Sequence, residues 1–217
     1  MALVLTARAP AHDSPEALVN RYSALMAAHG VTPLLLAKRA EEYAVLGELD
    51  KAAADWEQLL QLQPRSLNAL TELSKVRLES GRLTEAMSSV NQALALPAHP
   101  EEQAPLYLIR AHIHRARGDL TNALADCERF FVHPVPDVDA FILRSQLQLR
   151  LQQWEAALVG LREGWERTGS AVLETHWIEA LVDAGRPAEA LAQIERRLPE
   201  TRWQSSWLLR RARARLR

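Results

Sequence analysis

The sequence predicts an all-α protein, a series of short helical hairpins, on three observations. One motif recurs at near-constant spacing, apolar residues on both sides of each copy recur every three or four positions, and glycine and proline punctuate these stretches. The motif is glycine, then leucine two residues later, then alanine three after that. It reads Leu46-Gly47-Glu48-Leu49-Asp50-Lys51-Ala52, Ser80-Gly81-Arg82-Leu83-Thr84-Glu85-Ala86 and Arg117-Gly118-Asp119-Leu120-Thr121-Asn122-Ala123. Looser copies are Leu151-Gln152-Gln153-Trp154-Glu155-Ala156-Ala157 and Ala184-Gly185-Arg186-Pro187-Ala188-Glu189-Ala190. The alanines at 52, 86, 123, 157 and 190 are spaced by 34, 37, 34 and 33 residues.

Each copy joins two amphipathic stretches. Before Gly47, the apolar or small residues Leu36, Ala40, Tyr43 and Ala44 fall on one helical face, and after it Ala52, Trp56, Leu59 and Leu60 do the same. Glycine between them suits the position just past a helix end, where a left-handed backbone costs other residues about 1–2 kcal/mol. Asp50, Thr84, Thr121 and Pro187 are residue types favoured at or just inside a helix start. Pro64, Pro97, Pro134 and Pro199 follow the second helices and stop them. Three extra residues between the second and third copies lie within 97–103, where two prolines predict a stiff, lengthened connection and a local irregularity rather than a hinge between domains.

These residues resemble the tetratricopeptide repeat (TPR) family. Its pattern places a small residue at the start of the second helix, a bulky one four later, a small one three after that and proline five further on. Ala52, Trp56, Leu59 and Pro64 follow it, with Leu59 larger than the pattern prefers. Ala86, Val90 and Ala93 match, with Pro97 one residue early; Ala123, Cys127 and Phe130 follow, with Pro134 early. Ala157, Leu161 and Gly164 fit without a proline, and Ala190 and Ile194 fit with Arg197 in the small slot. The resemblance implies a right-handed α-solenoid of about five TPR helix-turn-helix repeats, with N- and C-terminal capping helices. The array covers 33–202, divided as 33–66, 67–103, 104–137, 138–170 and 171–202.

Repeat stacks expose an apolar face at each end unless something covers it. Residues 14–30, with Ser14-Pro15-Glu16 as a start, Gly30 as a stop and Leu18, Tyr22, Leu25 and Met26 on one side, form the expected N-terminal cap. Residues 1–13 are expected as a flexible arm. Ala9-Pro10-Ala11 also has the small-x-small form of a cleavage site, so a signal-peptide remnant and export are the alternative to a default cytoplasmic location. The C-terminal cap, 203–217, carries Trp203, Trp207, Leu208 and Ala212 as its apolar stripe. Residues 196–217 hold eight arginines against Glu200 alone, a local charge of +7 that leaves −8 on the remainder. Arg210, Arg211, Arg213 and Arg215 form either a basic docking patch for phosphate or nucleic acid, or a solvated face paired with acidic residues of the neighbouring repeat. The second reading is favoured.

Composition narrows the functional classes. Hydrophobic residues are 48% and charged residues 24%, and the formal net charge is −1, so no global field calls for nucleic acid. No run approaches the roughly 18 apolar residues of a membrane span. The single cysteine excludes an intramolecular disulfide and a cysteine-rich zinc site. Cys127 occupies a bulky buried slot and reads as a core thiol. His112 and His114, two apart on a helix, diverge too far to share a metal. Phe130-Phe131 reads as packing at a helix end. No nucleophile-base pair, phosphate loop or dinucleotide fingerprint is found, so the expectation is no enzyme, no cofactor and no metal.

The family resemblance implies a scaffold that binds a peptide or partner protein along the concave wall formed by the first helices. Its inward slots fall on Lys38, Glu41, Asn68, Thr71, Lys75, His112, Arg115, Gln146, Arg150 and Glu179. One subgroup grips chaperone C-terminal tails with a Lys/Asn/Arg clamp, but the corresponding slots here hold Ala37 and Glu41, Glu72, and Pro105 and Ile109. Acidic and apolar groups there disfavour such tails. The alternative partner is nucleic acid or an anionic surface on the Arg-rich helix, which is disfavoured.

Overall fold

Residues 13–133, 136–200 and 204–216 are described by the computed structural model, and among them twelve α-helices and no strand occur. The helices are α1 (Pro15–His29), α2 (Pro33–Val45), α3 (Leu49–Leu62), α4 (Leu67–Glu79), α5 (Leu83–Leu94), α6 (Pro100–Ala116), α7 (Leu120–Phe131), α8 (Val138–Arg150), α9 (Trp154–Thr168), α10 (Ala171–Asp183), α11 (Pro187–Arg197) and α12 (Gln204–Arg215). Residues 1–12 of the expected arm, the cleavage-site motif within them, Pro134 and Trp203 lie outside the described residues.

The five recurrent motifs make the turns of α2/α3, α4/α5, α6/α7, α8/α9 and α10/α11. One hydrogen bond repeats in all of them, six residues being closed by the amide after the turn residue. Glu48 N–H donates to the Tyr43 carbonyl at 2.8 Å, Arg82 to Arg77 at 2.8 Å, Asp119 to His114 at 2.9 Å, Gln153 to Gln148 at 2.8 Å and Arg186 to Leu181 at 2.8 Å. The Gly47 amide donates to the Ala44 carbonyl at 3.0 Å, completing the two-bond C-terminal cap. The turn residue needs a left-handed backbone: φ is 73° at Gly47, 74° at Gly81, 80° at Gly118 and 75° at Gly185. In the fourth turn Gln152 adopts φ 60° without being glycine, so the bond pattern holds a side chain where glycine is favoured.

The repeat register is carried by buried residues. Ala52, Ala86, Ala123, Ala157 and Ala190 are all fully buried, as are Trp56, Val90, Cys127, Leu161 and Ile194 four residues on. Small side chains there let the paired helices approach, and the bulky neighbour fills the space beside the crossing. The second helices begin one residue before Asp50, Thr84 and Thr121, which therefore sit just inside the start.

The chain divides into two compact units between Ala98 and His99. In the first unit, Met26 of α1 joins Leu36, Ala40, Trp56, Leu59, Leu73 and Val76 in one cluster, so α1 packs against α2. Ser14 accepts from the Ala17 amide at 3.3 Å and Gly30 closes α1 at φ 88°. In the second unit, Phe141, Leu161, Leu173, Ile178, Leu181 and Ile194 form the largest cluster. Leu143 and Leu147 of α8 meet Ala111, Ala123 and Cys127 in another.

Two expectations are corrected, and one gap in the pattern is filled. Residues 100–103 are helical rather than part of a lengthened connection: Pro100 opens α6, and the Glu102 carboxylate accepts from the His99 amide at 2.9 Å, so the extra residues become an additional first turn. The missing stop in the fourth pair is supplied by Gly169, left-handed at φ 66°. On α12, Trp207 and Ala214 pack against the second unit, while Leu208 is 40% exposed and Ala212 is exposed. The helix is turned so that its arginines, rather than Leu208 and Ala212, face the carboxylates of α10 and α11.

Candidate functional site

Apolar packing fixes one side of each first helix and leaves the opposite side to solvent. In α2, Leu36 and Ala40 are fully buried while Lys38 and Glu41 are exposed; in α4, Leu70 and Leu73 are buried while Asn68 and Lys75 are exposed. Thr71, half-buried, donates its hydroxyl to the Leu67 carbonyl at 2.8 Å. The exposed lysines of these two helices are neutralised within their own helices. Lys38 Nζ lies 2.7 Å from Glu41, a bond that raises its pKa above the ordinary lysine value, and Lys75 Nζ lies 2.7 Å from Glu72.

In the second unit the faces of α6 and α8 adjoin. His112 is half-buried on α6, and Asp137 and Asp139 at the start of α8 act on it electrostatically. Its pKa is lowered from the ordinary value, first by burial and then by Arg115. Arg115, Gln146 and Arg150 are exposed, and Leu108, Ile142 and Leu149 are half-buried on the same helices. On α10, Glu179 accepts from Arg210 Nε of α12 at 3.1 Å. Of the clamp-equivalent positions, Ile109 is buried and Pro105 is exposed within α6, so neither offers a cation.

The arginines of α12 are all occupied. Besides the Arg210–Glu179 pair, Arg213 reaches Asp183 at 2.7 Å, and Arg211 and Arg215 both reach Glu195, at 3.5 and 3.4 Å. This is the paired arrangement with the neighbouring repeat, and it brings the basic patch onto the carboxylates of α10 and α11. Arg197, in the small slot of the last pair, reaches the buried Glu174 at 2.7 Å.

The spacing also concealed a buried brace. Arg39 grips Asp55 with two bonds of 2.8 and 2.7 Å, and Arg110 grips Asp126 with two of 2.7 Å. Both arginines stand thirteen residues before, and both aspartates three after, the repeat alanine, a signal present in the sequence and unread. In the fourth pair Arg144 holds the first position, but Gly160 stands where the aspartate would be. Arg144 instead lies 4.1 Å from the Phe131 ring centroid, with Glu163 at 3.4 Å.

No arrangement here is primed for covalent chemistry at Cys127. Burial, with Glu128 nearby, pushes its thiol up to about 12, so the reactive thiolate is suppressed. Phe130 is buried and meets Phe131 edge-on at 5.3 Å, as packing at the end of α7. No group of His, Cys, Asp and Glu that could hold a metal occurs among the described residues. No helix among them is long and apolar enough to cross a membrane.

The tetratricopeptide repeat family matches residues 38–103. The fold is similar to that of a tetratricopeptide repeat protein from Parabacteroides merdae, at TM-score 0.69 and 16% identity, covering 93% of this chain and 79% of that one. It is similar also to YrrB, described as a TPR protein with an unusual peptide-binding site, at TM-score 0.63 and 14% identity, over 88% and 97% of the two chains. The Cut9-Hcn1 structure of the APC/C is similar at TM-score 0.67 and 15% identity; the match covers 92% of this chain but only 39% of that one. No curated protein matches the sequence. Residues 38–103 thus carry the tetratricopeptide repeat match, and the described residues form an all-helical fold similar to that of tetratricopeptide repeat proteins.

Proposed function

We propose that the protein is a non-catalytic scaffold that receives a peptide segment or partner protein on the exposed faces of its first helices. The observation that carries this reading is the division of those helices: one side is buried at the repeat crossings, while the other presents Lys38, Glu41, Asn68, Lys75, Arg115, Gln146 and Arg150 to solvent. In the family these faces line the concave wall, and the peptide-binding site named for YrrB is in keeping with it. The nucleic-acid reading is weaker, because Arg210, Arg211, Arg213 and Arg215 each already face a carboxylate.

The test reverses charge on these faces. Lys75→Glu with Arg115→Glu is expected to reduce recovery of captured partners from host extract, with the helical signal unchanged. Lys51→Glu with Arg162→Glu, on second helices, is expected to leave recovery intact. Equal recovery from both double variants would overturn the reading. Salt-dependent binding of a random oligonucleotide, lost on substituting the α12 arginines, would favour the rival.

A further inference from the structure

The cations along the first helices are paired by different means in different places, and two arginines are left without an ion pair among the described residues. On α2 and α4 the exposed lysines pair with Glu41 and Glu72 of their own helices. On α10 the half-buried Glu179 and the exposed Asp183 are paired by Arg210 and Arg213 of α12. Elsewhere on α6 and α8, Arg110 is held by Asp126, and Arg144 has Glu128 and Glu163 near it. Arg115 and Arg150 make no ion pair among the described residues, although both are exposed and both stand in the last turn of their helices. On the same helices Leu108, Ile142 and Leu149 pack against the core clusters yet remain half-buried, with His112 and Gln146 four residues on from Leu108 and Ile142.

We propose that the α6/α8 face of the second unit is a docking surface for an acidic, extended peptide segment of a partner protein. Side-chain carboxylates of the segment pair with Arg115 and Arg150, Gln146 hydrogen-bonds its backbone, and its aliphatic residues cover Leu108 and Leu149. This names the chemical class of the occupant and rests on the scaffold reading above. Asp137 and Asp139, which act on His112, lie at the α8 start, the opposite end of that helix from Arg150, and so orient the segment with its carboxylates toward the helix ends. Exposed pairs each add little affinity, so the selectivity is expressed in salt dependence and in rejection of basic sequences.

A random dodecapeptide library fused through its C-terminus, so that only side-chain carboxylates count, is selected against the full chain. Peptides enriched in Asp and Glu are expected, with affinity falling roughly tenfold in Arg115→Glu/Arg150→Glu and weakening with salt. Arg150→Gln, a milder change at an exposed site, is expected to weaken the same peptides less, and circular dichroism checks that each variant is folded. Peptides without acidic enrichment that are lost in Gln146→Trp would overturn this proposal and leave the scaffold reading standing. No selected peptides, or peptides indifferent to Gln146→Trp and to the reversals, would overturn both.

Discussion

Replacing Gln152 by glycine isolates the backbone cost of the fourth turn. The other four turns place glycine at φ 73° to 80°, whereas Gln152 stands at φ 60° with its side chain exposed and without a hydrogen bond among the described residues. A non-glycine residue in that region costs about 1–2 kcal/mol. Glycine returns about 0.5–1 kcal/mol of that as greater freedom in the unfolded chain, so the expected gain is about 0.5–1 kcal/mol. For a chain of this size the gain raises the thermal midpoint by about 1–4 °C, read by circular dichroism. The reciprocal change, Gly118→Gln, is expected to lower it by a similar amount. A Cβ at Gly118 meets nothing within 4 Å, so only conformation is altered. A neutral or destabilising Gln152→Gly together with a harmless Gly118→Gln would refute the reasoning.

Asp126→Ala strands the Arg110 guanidinium beside a nearly buried site and is expected to cost about 3–5 kcal/mol in denaturant unfolding, whereas Arg110→Leu/Asp126→Leu recovers much of the loss. If the single and double variants lose the same stability, the pair is not coupled. Ala86→Trp overpacks the fully buried α4/α5 crossing and is expected to cost about 1–3 kcal/mol or more; an unchanged midpoint would undo the repeat register. Cys127 is expected to resist alkylation at pH 8 in the folded chain and to react on denaturation, because burial pushes its thiol up to about 12. Reaction of the native protein at the rate of a free thiol would contradict its burial.

Much of the fold is legible in the sequence because it depends on spacing. The offset from Gly47 to Ala52 to Trp56 sets a turn, a crossing and its filler at once, and the same offsets place Gly118, Ala123 and Cys127. The extra turn of α6 was obscured because Pro97 and Pro100 look alike as helix breakers. Only the second stands at a helix start, where its missing N–H is not needed. The rotation of α12 was not legible because Trp207, Leu208 and Ala212 fit a helical stripe as well as Trp207 and Ala214 do. What decides it is the presence of Glu179, Asp183 and Glu195 on distant segments. The candidate site divides in the same way: the i,i+3 spacing of Glu72 and Lys75 is local and readable, whereas the absence of an ion pair for Arg115 among the described residues depends on where acids of other helices fall.

The most direct measurement of the central claim is site-specific photo-crosslinking in the host cell. A photoreactive residue replaces Asn68 or Gln146 on the first helices, or Gln58 or Val159 on exposed positions of the second helices. The account predicts partner adducts from Asn68 or Gln146 and none from Gln58 or Val159. Adducts confined to Gln58 and Val159, or none from any of the four, would contradict it.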